Sequence, residues 1–244
     1  MESTMITSDR SVSERRFYTG MAIAILLSVL LGFARSFFLK PLFPDHPAPA
    51  EPIFYIHGAV FTLWIVLFVV QVAMIAQGKV ELHRKLGPVG GVIVVAMVIL
   101  GIFGALMSAA RPTGFIGIPI PGLQFLAIPI FDMIVFPSFV ILAFVKRHHA
   151  QSHKRWMLLA TLNLITAAIA RWPIVGSFGP LAYFGITDLF IIALAIWDFR
   201  SRGRLHTVTV WGGVIMIISQ PLRLVVSGTS GWQSFAAWAT DLVR

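Results

Sequence analysis

The chain has 244 residues, of which 57% are hydrophobic and only 12% charged, with a formal net charge of +9 and no cysteine. A soluble domain carries about 25% charged residues, so this much apolar surface points to the bilayer as solvent. The absence of cysteine excludes disulfides, iron–sulfur clusters and thiolate zinc sites. The positive charge sits in short turns between apolar runs. That placement reads as membrane topology rather than nucleic-acid binding.

Residues 1–16 form a polar N-terminal segment. Arg15-Arg16 matches the start of a twin-arginine signal, but the apolar run behind it is too long for a signal h-region and lacks a small-residue cleavage site. It reads as a retained first helix. Seven apolar runs approach the ~20 residues of a span: 17–39, 53–77, 86–110, 124–146, 155–175, 181–199 and 207–226. The expected fold is therefore all-α, a polytopic helical bundle with one transmembrane domain over 17–226.

The turns alternate in charge. Arg10, Arg15 and Arg16; Lys79, Arg84 and Lys85; Lys146, Arg147, Lys154 and Arg155; and Arg200, Arg202 and Arg204 fall on one side. Arg35, Lys40, Arg111, Arg171, Arg223 and Arg244 lie singly towards the other. The positive-inside rule then places the N-terminus in the cytoplasm and the C-terminus outside. The second set of loops, PLFPDHPAPAEP and RPTGFIGIPIPG, is short and rich in proline and glycine, which suits tight caps over helix ends. The tail, 227–244, carries Trp232 and Trp238 at an apolar spacing and reads as an amphipathic helix at the outer headgroup level.

A weak internal repeat suggests one helix plus three hairpins. Each hairpin begins with His57, Asp132 or Asp188, turns through a basic segment at His83, His153 or His206, and returns to Arg111, Arg171 or Arg223. In the first hairpin, His57, Phe61, Trp64, Phe68 and Gln71 fall on one helical stripe. Its length puts His57 and His83 at opposite faces of the bilayer, so they cannot share one ion.

Ionisable residues at depth are costly and mark functional sites by default. The expected outer polar site comprises His57, Asp132, Asp188, Arg35, Arg171, Arg223 and Gln220. There Asp132 and Asp188 would titrate and the arginines would hold negative charge. The alternative role for these groups is to lock helices in register. His57, Asp132 and Asp188 could also form a metal site. At the inner edge, His83, His153 and His206, with His148 and His149 nearby, offer ligands for haem or another metal. No cofactor is required by the sequence. It contains no phosphate-cradling glycine loop, no HExxH and no deep lysine in the seventh span for a retinal Schiff base. Whether the chain is an enzyme stays open.

At HGAVFTLW, HRKLG, HKRWMLLA, AIARWP and SQPLR the chain resembles a family of uncharacterised bacterial multipass, seven-helix inner-membrane proteins, over most of positions 17–240. The resemblance implies a bacterial inner-membrane location and carries over no catalytic residue. The HG…HRKLG hairpin also looks like those of small bacterial membrane families linked to haem or respiratory-oxidase assembly. Three functions follow as expectations: binding or transport of a small polar or anionic ligand or protons; haem or metal handling; and an assembly role beside other membrane proteins. The lipid bilayer is the expected partner, with a possible small-molecule ligand and no nucleic acid.

Overall fold

The computed structural model describes residues 2–243, with side chains from residue 12 onward; the side chains of Arg10 and Arg244 lie outside the described residues. Nine α-helices follow in order: α1 (Glu2–Phe33), α2 (Pro52–Ala76), α3 (Val80–Ala110), α4 (Gly122–Phe125), α5 (Ala127–Val145), α6 (Ala150–Ile169), α7 (Pro180–Arg202), α8 (Thr207–Ser227) and α9 (Ser230–Asp241). α1 runs into a π-helical turn over Ala34–Phe38. Among the described residues, six helices are long and apolar enough to cross a membrane: Val12–Phe38, Pro52–Ala76, Val80–Ala110, Gly122–Val145, Pro180–Arg202 and Thr207–Ser227.

α6 is the exception, and its position explains why. It is packed on by α1, α5, α7 and α8, and Leu158, Leu159, Leu162, Ile165, Ala168 and Ile169 are fully buried. A helix enclosed by other helices meets protein rather than lipid, so it tolerates Arg155, Thr161, Asn163 and Thr166 among its buried residues. Its range corrects the expected fifth run of 155–175. The helix begins five residues earlier, so Arg155 is not a surface turn residue but a fully buried one.

The bundle has two chemically distinct ends. At the basic end, Arg15 donates to the Ala76 carbonyl (3.3 Å), while Lys154 and Gln151 of α6 both engage Glu14. Beneath them lies the most buried ion pair among the described residues. Arg155 forms an ion pair with Asp198 of α7, both without solvent exposure. Its Nη1 also donates to the Gln151 carbonyl and side chain, each at 2.7 Å. The second Asp198 oxygen accepts from the Thr209 hydroxyl and from the His206 amide (3.1 Å). α6, α7 and α8 are thereby joined at one point, with the buried charges satisfied as the interior requires.

The opposite, proline-rich end holds the loops 39–51, 111–121 and 170–179. Here α1 touches α6 backbone to backbone: a Cβ on Gly32 would fall inside the Ala168 carbonyl. Trp172 fixes the same crossing by donating to the Ser28 carbonyl (3.1 Å). In the last of these loops Ile174 adopts φ 74, a left-handed conformation that costs a β-branched residue roughly 1–2 kcal/mol. α9 is a well-capped helix: Thr229 accepts from the Trp232 amide (3.2 Å). Trp232 then donates to the Leu123 carbonyl (2.8 Å) and packs into a small cluster with Ala105, Ala109, Leu126 and Ala127. Trp238 stays exposed.

Glu51 and Arg111 clamp the ends of α2 and α3, with Arg111 Nε and Nη2 donating to one carboxylate oxygen at 2.9 and 2.7 Å. Its own backbone amide and the Arg111 guanidinium hold the Glu51 carboxyl below its ordinary 4.5. A depressed carboxylate supports the fold above its unfolded value, and that support is lost as pH falls through the folded one. Glu51→Gln is expected to lower the melting temperature slightly at neutral pH and to converge on the parent in acid, flattening the acid limb of a melting-temperature-against-pH curve. A mutant curve identical to the parent's down to acid unfolding would refute it.

Candidate functional site

A cavity of about 300 Å³ opens inside the proline-rich end. Its wall draws on α1, the π-turn, α2, α3, α5, α6 and α7. Most of the lining is aromatic or aliphatic, led by Phe33, Phe37, Phe54, Phe61, Phe115 and Phe125. Sequence places these rings around the space in definite ways. The π-turn directs Phe37 onto Gly58, whose missing side chain leaves room for the ring. π-turns of this kind recur where a helix serves a site. His57 and Phe61, one helical turn apart, stack at 4.0 Å with 16° between their planes.

The polar groups in this wall are few and mostly donors. Arg171 projects from the end of α6, donates to the Ala167 carbonyl (2.7 Å) and lies over the Phe33 ring at 4.9 Å. It is exposed, as is Ala167 one turn before it. It has no acidic partner among the described residues. Arg171 is within electrostatic reach of both His57 and Tyr183. His57 pairs through Nδ1 with the Leu100 carbonyl (3.3 Å), leaving Nε2 uncommitted. Ser36, Arg111 and Tyr183 also line the cavity, and each holds a buried polar atom, Oγ, Nη1 and Oη, that no group of the protein satisfies. Native interiors leave few such atoms, and each calls for a reason.

Deeper in, Asp132 forms an ion pair with Arg223 (2.7 Å) and accepts from Asn163 Nδ2 (3.2 Å). Arg223 also donates to the Ser219 carbonyl and hydroxyl (3.2 and 3.1 Å) and lies 5.5 Å from the Phe184 ring centre. This pair is buried, with both side-chain bonds on Asp132 Oδ1, and it ties α5, α6 and α8 together at the cavity wall.

The seven residues expected in the outer site therefore separate. His57, Asp132 and Arg171 line the cavity; Arg223 backs it through Asp132. Asp188 and Gln220 pair with each other (2.8 Å) between α7 and α8 and do not line it. Asp188 and Asp132 thus do not share a site. Arg35 is exposed and stacks over Phe43 at 5.5 Å, because the π-turn rotates it away from the lining residues Ser36, Phe37 and Phe38. Arg111 was not singled out for the site from sequence, nor were Tyr183 and Ser36. Arg111 was visible as the outer arginine closing the first hairpin, but its acid partner lies sixty residues earlier, in a loop.

The three histidines of the basic end also separate. His83 and His153 meet with ring centres 6.1 Å apart, and His153 Nδ1 pairs with the Ala143 carbonyl (2.9 Å). His206 caps α8 instead, its Nδ1 accepting from the Val208 amide (3.1 Å). Burial and the neighbouring cations Arg155 and Arg202 push the His206 imidazole down from 6.5, which favours the neutral, accepting form. Among the described residues no group of three or more His, Asp or Glu side chains is placed to hold a metal ion.

Fold and site together define a multi-pass helical membrane protein with an aromatic cavity and a cationic rim. Comparison with family models, with curated proteins and with solved structures returned no match.

Proposed function

We propose that this chain is a seven-span bundle, with α6 as the enclosed fifth span, and that it binds or transports a small polar or anionic ligand through the cavity at its proline-rich end. By the positive-inside rule the basic turns support assigning that end to the outer face, in this reading of a bacterial inner membrane. The observation that carries the reading is the donor excess in one wall. Arg171 has no acid, and Ser36, Arg111 and Tyr183 each keep an unsatisfied polar atom there. Carboxylates at the site are already spent on Arg111 and Arg223. A ligand rich in acceptor oxygens supplies what the wall lacks.

A proton-coupled version needs titrating groups in contact with the cavity. Only Asp132 of the two candidate carboxylates lies there, and it is locked to Arg223. Ligand binding without proton coupling is therefore the stronger form. Its test is native mass spectrometry of the chain purified in mild detergent, beside Arg171→Gln. Retention of a small molecule by the parent and its loss from the variant, at unchanged melting temperature, is the expected result. Equal ligand content in the two would remove Arg171, and with it the cavity, from the function.

A further inference from the structure

We infer that the ligand of this cavity is a single-tailed amphiphile bearing one negative charge, an alkyl or aryl carboxylate of medium length. This rests on the cavity reading above and narrows its ligand to one chemical class.

Charge balance sets the head group. Three cations bear on the cavity, and two have acids within it or beside it: Arg111 with Glu51 and Arg223 with Asp132. Arg171 is left over, so the wall carries one uncompensated positive charge. A monoanion neutralises it; a dianion brings a second charge that no further cation of the wall balances. The planar guanidinium fork of Arg171 matches a carboxylate in two parallel hydrogen bonds. Its Nη1 is engaged with the Ala167 carbonyl, but Nε and Nη2 make no hydrogen bond to the protein. Tyr183, which lines the same cavity, adds a hydroxyl with no partner of its own.

The rest of the wall sets the tail. Beyond this polar corner the lining is mostly apolar, with Phe61, Ile65, Ile128 and Met133, and only small hydroxyls such as Thr62, Ser108 and Thr166 among them. A bare inorganic anion would leave that surface unfilled. At about 300 Å³ the cavity is at the small end of ligand pockets, which run roughly 300–1,000 Å³. That is room for one short tail and not for a two-chain lipid.

The test is the melting temperature of the full chain in a non-ionic detergent, titrated with decanoate, decanol, decyl phosphate and butyrate. Decanoate is expected to raise it saturably, with decanol and decyl phosphate at least about tenfold weaker, the scale of one hydrogen bond to a charged group, and butyrate at least about tenfold weaker for its missing methylenes. Arg171→Gln should abolish the decanoate shift, whereas Arg35→Gln, outside the cavity, should keep it. Should Arg171→Gln fold poorly, Tyr183→Phe serves instead: it removes only an unpartnered hydroxyl, so it should fold as well as the parent yet bind decanoate several-fold more weakly. Butyrate or decyl phosphate matching decanoate, with the same dependence on Arg171, would overturn the amphiphile while sparing the polar-ligand reading. No shift from any probe, in parent or variants, would overturn both. A decanoate shift that survives both Arg171→Gln and Tyr183→Phe would show partition into the detergent belt and overturn the inference.

Discussion

Asp198→Ala is expected to be among the most damaging single substitutions in this chain, lowering stability by about 3–5 kcal/mol, the range for breaking a buried pair. It strands the Arg155 guanidinium, which has no solvent exposure and keeps only Gln151 as a partner. Arg155→Met should cost less, because Asp198 would still accept from Thr209 and the His206 amide. The double variant Arg155→Met/Asp198→Leu should recover most of the loss, since replacing both buried ions with apolar side chains is often close to neutral. Denaturant titration of the four proteins in detergent gives the comparison. A double variant as weak as Asp198→Ala alone would show that the pair does more than neutralise itself.

Gly32→Val is the second large effect. No rotamer can relieve it, because the obstacle is the Ala168 backbone, so α1 must part from α6. Overpacking typically costs 1–3 kcal/mol, and this site belongs at or above about 3. Gly20, twelve residues earlier in the same helix, has nothing within 4 Å of the position a Cβ would take. Gly20→Ala should therefore stabilise by about 0.5–1 kcal/mol. The opposite signs make the comparison sharp: equal losses at both glycines would mean that the helix, not the crossing, is what matters. Gly32→Val should also weaken ligand binding, since it moves Phe33 away from Arg171.

The apolar runs made most of the bundle legible, because a helix facing lipid must be apolar along its whole length. α6 was harder to place because its polar residues look like a turn until its neighbours are known. Asp198 was overlooked for a related reason. It sits in IWDFRSR, where a lone acid among arginines reads as part of a solvated turn, and its partner is 43 residues away. Asp132 and Asp188 look equivalent in sequence, each an acid in the first half of a hairpin. The rotation of α5 and α7 about their axes separates them, and rotation is decided by packing. The stripe on α2 divides by depth: His57 and Phe61 line the cavity, Trp64 and Phe68 are core, and the Gln71 side-chain oxygen is buried without a partner.

The polarity of α6 has a consequence for how the chain is made. If α6 is the fifth span proposed above, it partitions into lipid poorly by itself, since Arg and Lys oppose insertion. The helix before it offers Asp132 to Asn163 and can carry it in as a hairpin. The acid that neutralises Arg155, however, is synthesised only with α7. Until then a nascent chain holds an unpaired cation at the heart of the future bundle. An incomplete product is thus chemically marked, and membrane quality control has a charge by which to tell it from the finished protein.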